Sequence, residues 1–342
     1  MKTYLEKVIA HQALTVEEME QASQLLFNPE TPEPQIAAFL TALSMKGETV
    51  DEITGLVRVI RRQALSVPEV VTDAIDNCGT GGDGSHSFNI STTSAFVLAG
   101  AGLTVAKHGN RSVSSKTGSA DVLEALGVEL SATPEQMSEL LKDNGIAFLF
   151  AQHVHPAMKQ IMKVRRGLGI PTIFNLIGPL TNPVDLTTQL LGIYRRELLE
   201  QMANVLHQLG RKRALIINGA GYMDEASLAG ENHCVLLDRG EVMQFTLNPE
   251  DVGLTPVENE AIRGGDAVEN ARLLKSVLKG ELGPHRDTVL LNAGLGIFAS
   301  GKVNSVQEGV ELARESIDSG AALRKLEFLI DYSSRHQQGV KK

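Results

Sequence analysis

The residues best suited to bind a ligand are concentrated between Asp76 and Asp121, in segments rich in glycine, hydroxyl and basic side chains. These segments read CGTGGD at 78–83, NIST at 89–92, KHGNRSVSSK at 107–116 and GSAD at 118–121. Glycines let the backbone adopt φ > 0 and approach a ligand closely, while Ser, Thr and Asn supply neutral donors. Two glycine-rich turns with a basic loop between them indicate a ligand with two separate anionic ends. The alternative is two strand-to-helix connections that bind nothing.

Helices are predicted to begin directly after the two turns, over 90–98 and 119–126. A helix N-terminus placed this way directs free N–H groups and the positive end of the helix dipole toward an anion. Ordinary connections of this type are only a few residues long. The pattern therefore favours anion-binding turns.

Short apolar runs alternate with helical segments from Ala74 onward, and they must position these turns. Candidate strands are 103–106, 146–150, 189–193 and 214–217. This alternation indicates an α/β fold with a largely parallel sheet. Ligands bind at the carboxyl ends of such strands, so the Gly79 and Lys107 loops are expected at that edge.

Residues 1–65 are predicted to form helices without strands. Capping-box patterns begin at Thr15 and Thr49. A helical apolar pattern over 36–45 stops at Gly47. A helical block of this size buries little by itself, so we expect it to pack on the rest of the chain or on a second subunit.

The alternation of strands and helices lapses over 155–185. One or two helices are expected to leave the sheet here and join the N-terminal block. We therefore divide the chain into a helical domain at 1–70, joined by this insert, and an α/β domain at 71–342.

Asp224 and Glu225 follow the candidate strand 214–217, at the same edge of the sheet. Adjacent carboxylates there suit Mg²⁺, which takes hard oxygen ligands and keeps several waters. The alternative is a solvated loop. In the magnesium interpretation too, we expect this polar loop to bury little. Further along, the sequence predicts a hairpin with strands 233–237 and 242–247 and a turn at 238–240, then four helices within 266–333, two of them starting at Asp266 and Asn304.

Composition restricts the class of protein. The 342 residues are 42% hydrophobic and carry a net charge of −9, which argues against a general affinity for nucleic-acid backbones. No run reaches the ~18 apolar residues that span a bilayer. The two cysteines, Cys78 and Cys234, are expected to be small buried residues in a reducing compartment. Since the N-terminus lacks the apolar core of a signal peptide, we expect a cytoplasmic protein that binds neither nucleic acid nor membrane.

The motifs together resemble those of anthranilate phosphoribosyltransferase of the tryptophan pathway, and the resemblance covers nearly the whole chain. They are GTGGD at 79–83, KHGNR at 107–111, GSAD at 118–121 and the segment 175–183. The resemblance implies a small α-helical domain plus a larger α/β domain whose mostly parallel central sheet is surrounded by helices, as in nucleoside phosphorylase/phosphoribosyltransferase-type folds. It also implies a homodimer formed through the helical domain and a requirement for Mg²⁺, with two ions per monomer. The implied reaction joins anthranilate to 5-phosphoribosyl 1-diphosphate and releases pyrophosphate.

The resemblance also implies the residues of the site. Phosphoribosyl diphosphate would be bound by Gly79, Gly82, Asp83, Ser87, Asn89, Ile90, Ser91, Thr92, Lys107, His108, Gly109, Asn110, Arg111, Ser112, Val113, Ser114, Ser115 and Ser119. Anthranilate would be contacted by Gly79, His108, Asn110, Arg165 and Pro179. Magnesium would be held by Ser91, Asp224 and Glu225.

The implied chemistry agrees with these residue types. Displacement at the anomeric carbon leaves negative charge on the departing diphosphate, so the protein must stabilise that group and place the attacking amine. Arg165 would place the amine through a charged bond to the anthranilate carboxylate. The aniline nitrogen is largely unprotonated near neutral pH. We therefore assign no general base and interpret His108 as a shape and hydrogen-bonding element.

Two other functions stay open at the level of the sequence. A pyrimidine nucleoside phosphorylase has a similar architecture, but it usually carries a further C-terminal domain and has no use for an Asp-Glu metal pair. A non-catalytic relative that binds nucleic acid would need a basic face, and the net charge of −9 argues against one. One mild departure from the family pattern is Met223 after Tyr222, where a leucine often precedes the acidic pair.

Overall fold

Four helices precede the first strand. The computed structural model describes residues 1–68, 72–112 and 116–339. Its first helices are α1 (Lys2–Ile9), α2 (Val16–Leu26), α3 (Glu33–Lys46) and α4 (Val50–Gln63). The side chains of Thr15 and Thr49 cap α2 and α4 in reciprocal capping boxes. The helical prediction for this region is therefore confirmed.

A seven-stranded sheet forms the centre of the rest of the chain. Its strands are β1 (Ala74–Gly79), β2 (Thr104–Gly109), β3 (Ile146–Phe150), β4 (Thr188–Gly192), β5 (Arg213–Asn218), β6 (Asn232–Asp238) and β7 (Glu241–Leu247). They lie in the order β3-β2-β1-β4-β5-β6-β7. Strands β1 to β5 pair in parallel, and β6 and β7 are antiparallel. The mostly parallel sheet predicted from the sequence is thus confirmed.

Helices cover the sheet, as the alternating pattern predicted. The helices that follow β1 along the chain are α5 (Ile90–Gly100), α6 (Ser119–Ala125), α7 (Pro134–Asp143), α8 (Ala151–Val154), α9 (Lys159–Leu168), α10 (Leu199–Gln208), α11 (Ala267–Leu278), α12 (Pro284–Ala299), α13 (Val306–Asp318) and α14 (Ala321–Gly339). Helix α5 is apolar almost all round and is buried between the sheet and helices α12 and α14. Across the described residues, no helix has both the length and the apolar character needed to cross a bilayer.

The two faces of the sheet contribute to two hydrophobic cores. Along β5, Leu215 and Ile217 belong to one core, while Ala214 and Ile216 belong to the other, as the period of two in a strand requires. The second core also contains buried residues of α1 to α4 and of the 155–185 insert. The N-terminal helices therefore share a core with one face of the sheet, and α4 contacts α10, which packs on β5 and β6.

The insert leaves the sheet and approaches the N-terminal helices. Helix α9 and the 3₁₀ turn Ile173–Asn175 both contact α3. Ile161 and Phe174 are buried in the core that these helices share. The predicted boundary between residues 70 and 71 lies outside the described residues, so the division into two domains stays a prediction.

The order of the strands changes direction between β1 and β4. The chain moves outward from β1 to β2 and β3, then returns to the other side of β1 and continues to β5. At such a switch point the loops at the carboxyl ends diverge and leave a crevice, which is where α/β sheets bind ligands. Gly79 and Gly192, the last residues of the two strands, are paired there.

Two strand predictions were incomplete. Strand β1 was not among the candidate strands, because the polar pair Asp76-Asn77 hides its apolar pattern. Strand β2 continues to Gly109, three residues beyond the predicted 103–106. Its extra residues pair with β3, so partners distant in the sequence determine where the strand ends.

The C-terminal half follows its predictions with shifts of one residue, except that α14 continues to Gly339, six residues beyond the predicted end at 333. The hairpin turns at Arg239 and Gly240, whose φ values are +50° and +95°, as a two-residue hairpin loop requires. Asp266 caps α11 as predicted. The cap of α13 is Ser305 rather than Asn304, because the Ser305 hydroxyl accepts from the N–H of Glu308.

Candidate active site

A glycine turn follows β1 at the crevice. Gly81, Gly82 and Gly84 have φ values of +69°, +84° and +71°, a region that L side chains rarely adopt. Gly79 is needed for space instead, because a Cβ there would lie 2.1 Å from Oδ2 of Asp224. The turn therefore depends on glycine for two different physical reasons.

Asp224 lies across the ends of β1 and β4. Its Oδ2 accepts a hydrogen bond from the N–H of Gly81 at 2.6 Å, and its own N–H donates to Oδ2 of Asp83 at 3.4 Å. A Cβ at Gly192 would lie 1.6 Å from the carbonyl oxygen of Asp224. Only 9% of Asp224 is exposed, so the alternative of a solvated loop and our expectation that this loop buries little are both wrong for this residue.

Three carboxyl groups converge at this edge of the sheet. Burial and the neighbouring Asp83 raise the pKa of Asp224 to about 7. Burial and then Asp224 raise the pKa of Glu225 well above its usual range, while Lys107 and a hydrogen bond with Ser91 act in the opposite direction. Like charges held this close in a poorly solvated site oppose each other's ionisation. A proton or a cation among these oxygens would relieve that repulsion.

The carboxylates of Asp224 and Glu225, with the hydroxyl of Ser91, form a donor set for a hard cation. The three predicted ligands are brought together, since Ser91 bonds to Glu225 and Asp224 interacts with it electrostatically. Within 1–68, 72–112 and 116–339, no three His, Cys, Asp or Glu side chains form a metal-binding group by themselves. Mg²⁺ usually takes one or two carboxylates and completes its shell with water and substrate phosphates. The donor set therefore fits a cation that binds together with a phosphate ligand.

Lys107 and His108 lie within β2, not in the loop that the sequence predicted. They are 2% and 4% exposed. The Nζ of Lys107 donates to the carbonyl oxygens of Asn77, at 2.8 Å, and of His108, at 3.3 Å. Lys107 therefore supplies a fixed positive charge inside the sheet edge, and this charge partly offsets that of Glu225.

Asp76, which the sequence did not single out, connects strand β2 to the insert through hydrogen bonds. Its Oδ1 accepts from the N–H of His108 at 3.2 Å, and its Oδ2 accepts from Nδ2 of Asn182 at 3.0 Å. Burial raises the pKa of Asp76, and the nearby Lys107 lowers it. Because Asp76 is fully buried, these bonds fix the relative positions of β1, β2 and the 175–183 segment.

Asp83 lies in the glycine turn, and Ser87 lies between this turn and α5. Oδ1 of Asp83 accepts from the N–H of Ser85 at 3.1 Å, and the hydroxyl groups of Ser85 and Ser87 are 3.3 Å apart. Ser87 also pairs with Arg263 in an isolated antiparallel bridge. Hydrogen bonds of its own side chains therefore stabilise this short segment. Its pairing with Arg263 holds it against a distant part of the chain.

Residues 89–92 form the start of α5, which faces the crevice. Asn89 occupies the N-cap position but does not cap its own helix. Its side chain instead accepts from Nδ2 of Asn270 at 2.8 Å and donates to the carbonyl oxygen of Thr117 at 3.5 Å. The first N–H groups of a helix have no partners within it, so this N-terminus can receive an anion.

The connection from β2 to α6 folds back on the start of that helix. The hydroxyl of Ser119 accepts from the N–H of Asn110 at 3.1 Å and donates to its carbonyl oxygen at 3.2 Å. The N–H of Ser112 donates to Oδ2 of Asp121 at 3.2 Å. The other predicted ligands of this loop, Val113, Ser114 and Ser115, lie outside the described residues.

Arg111 is engaged with acidic residues of α6. Its guanidinium donates to Asp121 at 2.8 Å and to both carboxylate oxygens of Glu124, at 2.8 and 3.0 Å. It also lies 5.7 Å from the ring centroid of Phe150. The side chain would have to leave both acids before it could bind a phosphate, which the sequence did not anticipate.

Arg165 lies on α9 without an acidic partner among the described residues. Its guanidinium is 3.4 Å from Oδ1 of Asn175 and 5.5 Å from the ring centroid of Phe174. Burial lowers the pKa of Arg165. A half-buried guanidinium whose charge no carboxylate neutralises is suited to a carboxylate ligand.

Two buried histidines lie edge to face near the insert. The rings of His108 and His155 have centroids 5.3 Å apart at an angle of 88°. Burial and then His155 lower the pKa of His108 to about 3, and burial lowers the pKa of His155 to about 4. Both imidazoles are therefore neutral near neutral pH. An imidazole with so low a pKa is a weak general base, which supports assigning none.

Two models of glycosyltransferase domains match almost the whole chain. The one described as "Glycosyl transferase family, helical bundle domain" matches residues 2–64. The one described as "Glycosyl transferase family, a/b domain" matches residues 71–323. Both descriptions agree with the helices and the sheet found here.

The anthranilate phosphoribosyltransferase of Exiguobacterium sibiricum is 63% identical to this chain, over 96% of the chain and 97% of that protein. The chain belongs to the anthranilate phosphoribosyltransferase family. The family resemblance expected from the motifs is thereby confirmed.

Solved structures of the family have the same fold. A crystal structure of the Thermus thermophilus enzyme is 43% identical and has a TM-score of 0.92, covering 97% of this chain and 99% of that one. The Saccharomyces cerevisiae enzyme, solved in complex with PRPP and Mg, is 30% identical with a TM-score of 0.89, covering 97% of both chains.

A buried hydrogen-bond chain behind the family's 175–183 segment was missed by sequence reasoning. The carbonyl oxygen of Pro179 accepts from Nε2 of Gln189 at 2.6 Å, and Oε1 of Gln189 accepts from Nε of Arg211 at 3.2 Å. Burial, with Arg61 nearby, lowers the pKa of Arg211 to about 9. Strand patterns mark Gln189 as a strand residue and carry no signal of its partners.

Proposed function

We propose that this chain transfers the 5-phosphoribosyl group from 5-phosphoribosyl 1-diphosphate to the amine of anthranilate. The products are N-(5-phosphoribosyl)anthranilate and pyrophosphate, and the reaction is the second step of tryptophan synthesis from chorismate. The observation that carries this function is the 63% identity over nearly the full length of the Exiguobacterium enzyme. That identity disfavours the nucleoside phosphorylase and nucleic-acid-binding alternatives.

The donor is bound at the switch point of the sheet. Its diphosphate lies over the glycine turn that ends β1, where Gly79, Gly82 and Asp83 are placed. The start of α5 and the loop after β2 supply further donors, including the backbone N–H groups of 89–92 and the hydroxyl of Ser119. Support comes from φ > 0 at Gly82 and from the N-terminus of α5, which can receive an anion.

Mg²⁺ is the cofactor, held by Asp224, Glu225 and the hydroxyl of Ser91, with two ions per monomer. When bound, the metal neutralises charge on the departing diphosphate. The raised pKa values of Asp224 and Glu225 support this assignment, because a cation would relieve the repulsion that raises them. Without a cation, these carboxylates would repel the diphosphate that the glycine turn attracts.

Anthranilate is held on the side of the insert. Arg165 binds its carboxylate, and His108, Asn110, Pro179 and Gly79 contact the rest of the molecule. The support for this role is the half-buried guanidinium of Arg165, which has no acidic partner among the described residues. The protein's contribution to the attack is orientation of the amine rather than removal of its proton.

The chain forms a homodimer through its N-terminal helices and is located in the cytoplasm. Exposed apolar side chains on this block support the dimer, since Ile9 and Met45 are 62% and 79% exposed. They lie at the ends of helices α1 and α3, which contact each other.

The proposed reaction can be followed by the fluorescence of anthranilate. Incubation of the protein with anthranilate, phosphoribosyl diphosphate and Mg²⁺ should consume the anthranilate signal, while EDTA or omission of the donor should leave it constant. Unchanged anthranilate in the complete mixture, with folded protein, would refute the proposed function.

A further inference from the structure

A cavity of about 330 Å³ opens beside the start of α5. Segments distant in the sequence contribute to it, with His86, Ser87, Lys116, Thr117, Arg263 and Asn270 among its lining residues. Only Ser87 belongs to the set that the family resemblance assigns to the donor. The cavity therefore extends beyond the site inferred from the motifs.

The lining is basic without an acidic counterpart. Lys116, Arg263 and His86 face this cavity, and no Asp or Glu lines it. Neither Lys116 nor Arg263 forms an ion pair with any residue that the structure describes. In a chain of net charge −9, two cations that no carboxylate neutralises create a local positive potential, which attracts anions.

Backbone pairing holds Arg263 against the segment that leads into α5. Ser87 and Arg263 form an antiparallel bridge, and the N–H of Gly264 donates to the carbonyl oxygen of His86 at 2.9 Å. A Cβ on Gly264 would lie 2.6 Å from Oδ1 of Asn270. Glycine at this position thus lets Asn270 pack directly under the cavity.

Asn270 joins the cavity to the donor site. It is 3% exposed, and its Nδ2 donates to Oδ1 of Asn89 at 2.8 Å while its Oδ1 accepts from the N–H of Gly265 at 2.7 Å. Thr117 forms the opposite side, with its hydroxyl donating to the carbonyl oxygen of Gly265 at 2.9 Å. The cavity and the N-terminus of α5 therefore share a wall of fixed polar groups.

We propose that this cavity binds a phosphate group, with Arg263 and Lys116 as its cations and the Ser87 hydroxyl as a further donor. Guanidinium and ammonium groups are the usual partners of phosphate. Two sources share this chemistry, the 5-phosphate of the phosphoribosyl donor and free inorganic phosphate. The first source rests on the proposed function, because it requires the donor to be a substrate; the second does not.

The test uses Arg263→Gln with Lys116→Gln in the full-length protein. Both side chains are exposed, so the fold should be retained, and Arg263→Lys should keep most of the binding. Lys275→Gln, which removes an exposed charge from α11 outside the cavity, is the matched control. Titration calorimetry with inorganic phosphate at low ionic strength should show roughly tenfold weaker binding in the double variant and none of this loss in the control.

Steady-state kinetics in phosphate-free buffer identify the source. If the cavity binds the donor's 5-phosphate, the double variant raises KM for phosphoribosyl diphosphate, leaves KM for anthranilate unchanged, and inorganic phosphate competes with the donor. If it binds free phosphate, KM for the donor is unchanged and phosphate does not compete. Equal phosphate affinity in wild type and double variant, with equal KM values, overturns the proposal. A wild type that binds phosphate in the cavity but transfers nothing would refute only the proposed function.

Discussion

At the scale of the residue, burial sets the charge state of Arg165 and His108, which we propose to contact anthranilate, and of the neighbouring His155. Arg165 has its pKa lowered by burial and yet stays a cation, since a guanidinium is not deprotonated near neutral pH. His108 and His155 are held neutral, with pKa values of about 3 and about 4. The proposed anthranilate site therefore has one positive charge, that of Arg165, among neutral groups. This suits a ligand with one carboxylate.

Replacing Arg165 by alanine should raise KM for anthranilate by roughly tenfold or more, because a charge-assisted hydrogen bond is lost. KM for phosphoribosyl diphosphate should change little. Steady-state kinetics with each substrate varied in turn measure both values. Arg166→Ala, on the exposed neighbour in the same helix, is the matched control and should change neither. Equal increases for the two substrates would contradict the assignment.

His155 should make the free energy of unfolding depend on pH below neutrality. The folded chain keeps His155 neutral down to about pH 4, whereas the unfolded chain protonates it near pH 6.5. The unfolded state thus binds more protons in this window, so stability falls as the pH drops from about 6.5 toward 4.

The titration of His155 should lower the free energy of unfolding by about 2 kcal/mol between pH 7 and pH 5. In His155→Gln this decrease should be absent. Urea unfolding of wild type and variant at both pH values measures it. His207→Gln, on an exposed histidine of α10, should behave as wild type does. The same pH dependence in wild type and His155→Gln would mean that His155 is not held neutral by burial.

At the scale of the element, the site is made of strand ends, and this explains what the sequence could predict. The glycine turn, the starts of α5 and α6 and the hairpin follow from local residue types. The ends of β2 and the environment of Asp224 do not, because they depend on pairing with β3 and on Gly192. Lys107 was therefore expected in a loop although it lies within a strand.

Gly82→Val should abolish most of the activity with the fold retained. Gly82 has a φ of +84° and is exposed, so a β-branched side chain strains the turn without disturbing the core. Titration calorimetry should find weaker binding of phosphoribosyl diphosphate, and circular dichroism should find unchanged secondary structure. Gly210→Val, at a second glycine of positive φ outside the site, controls for backbone strain alone. Wild-type donor affinity in Gly82→Val would refute the role of the turn.

Gln189→Glu tests whether β4 positions the 175–183 segment through Pro179. A carboxylate can still accept from Arg211, but it cannot donate to the carbonyl oxygen of Pro179. We expect KM for anthranilate to rise by roughly threefold to tenfold, the value of one buried hydrogen bond, with KM for the donor unchanged. If both KM values move together, or only the melting temperature falls, Gln189 acts on stability alone.

At the scale of the whole molecule, the strand order places the two proposed substrate sites on either side of one crevice. Sequence motifs predicted the α/β class and the helical block, and relatives of the same family confirm both. The position of the crevice could not be predicted, since it follows from β4 returning beside β1 rather than beside β3. This return brings Gly192, and with it Asp224, against the glycine turn.

The central claim is that the carboxylates at this crevice bind the donor only through a divalent cation. The variant Asp224→Asn with Glu225→Gln removes both charges but keeps an acceptor for the N–H of Gly81, which alanine would leave unpaired in a buried site. Wild type and variant are compared by titration calorimetry with phosphoribosyl diphosphate, in Mg²⁺ and in EDTA. We predict at least roughly tenfold weaker binding by the variant in Mg²⁺. In EDTA the variant should bind at least as tightly as wild type, because the charges that repel the diphosphate are gone. Binding as tight as wild type in Mg²⁺ would contradict the claim.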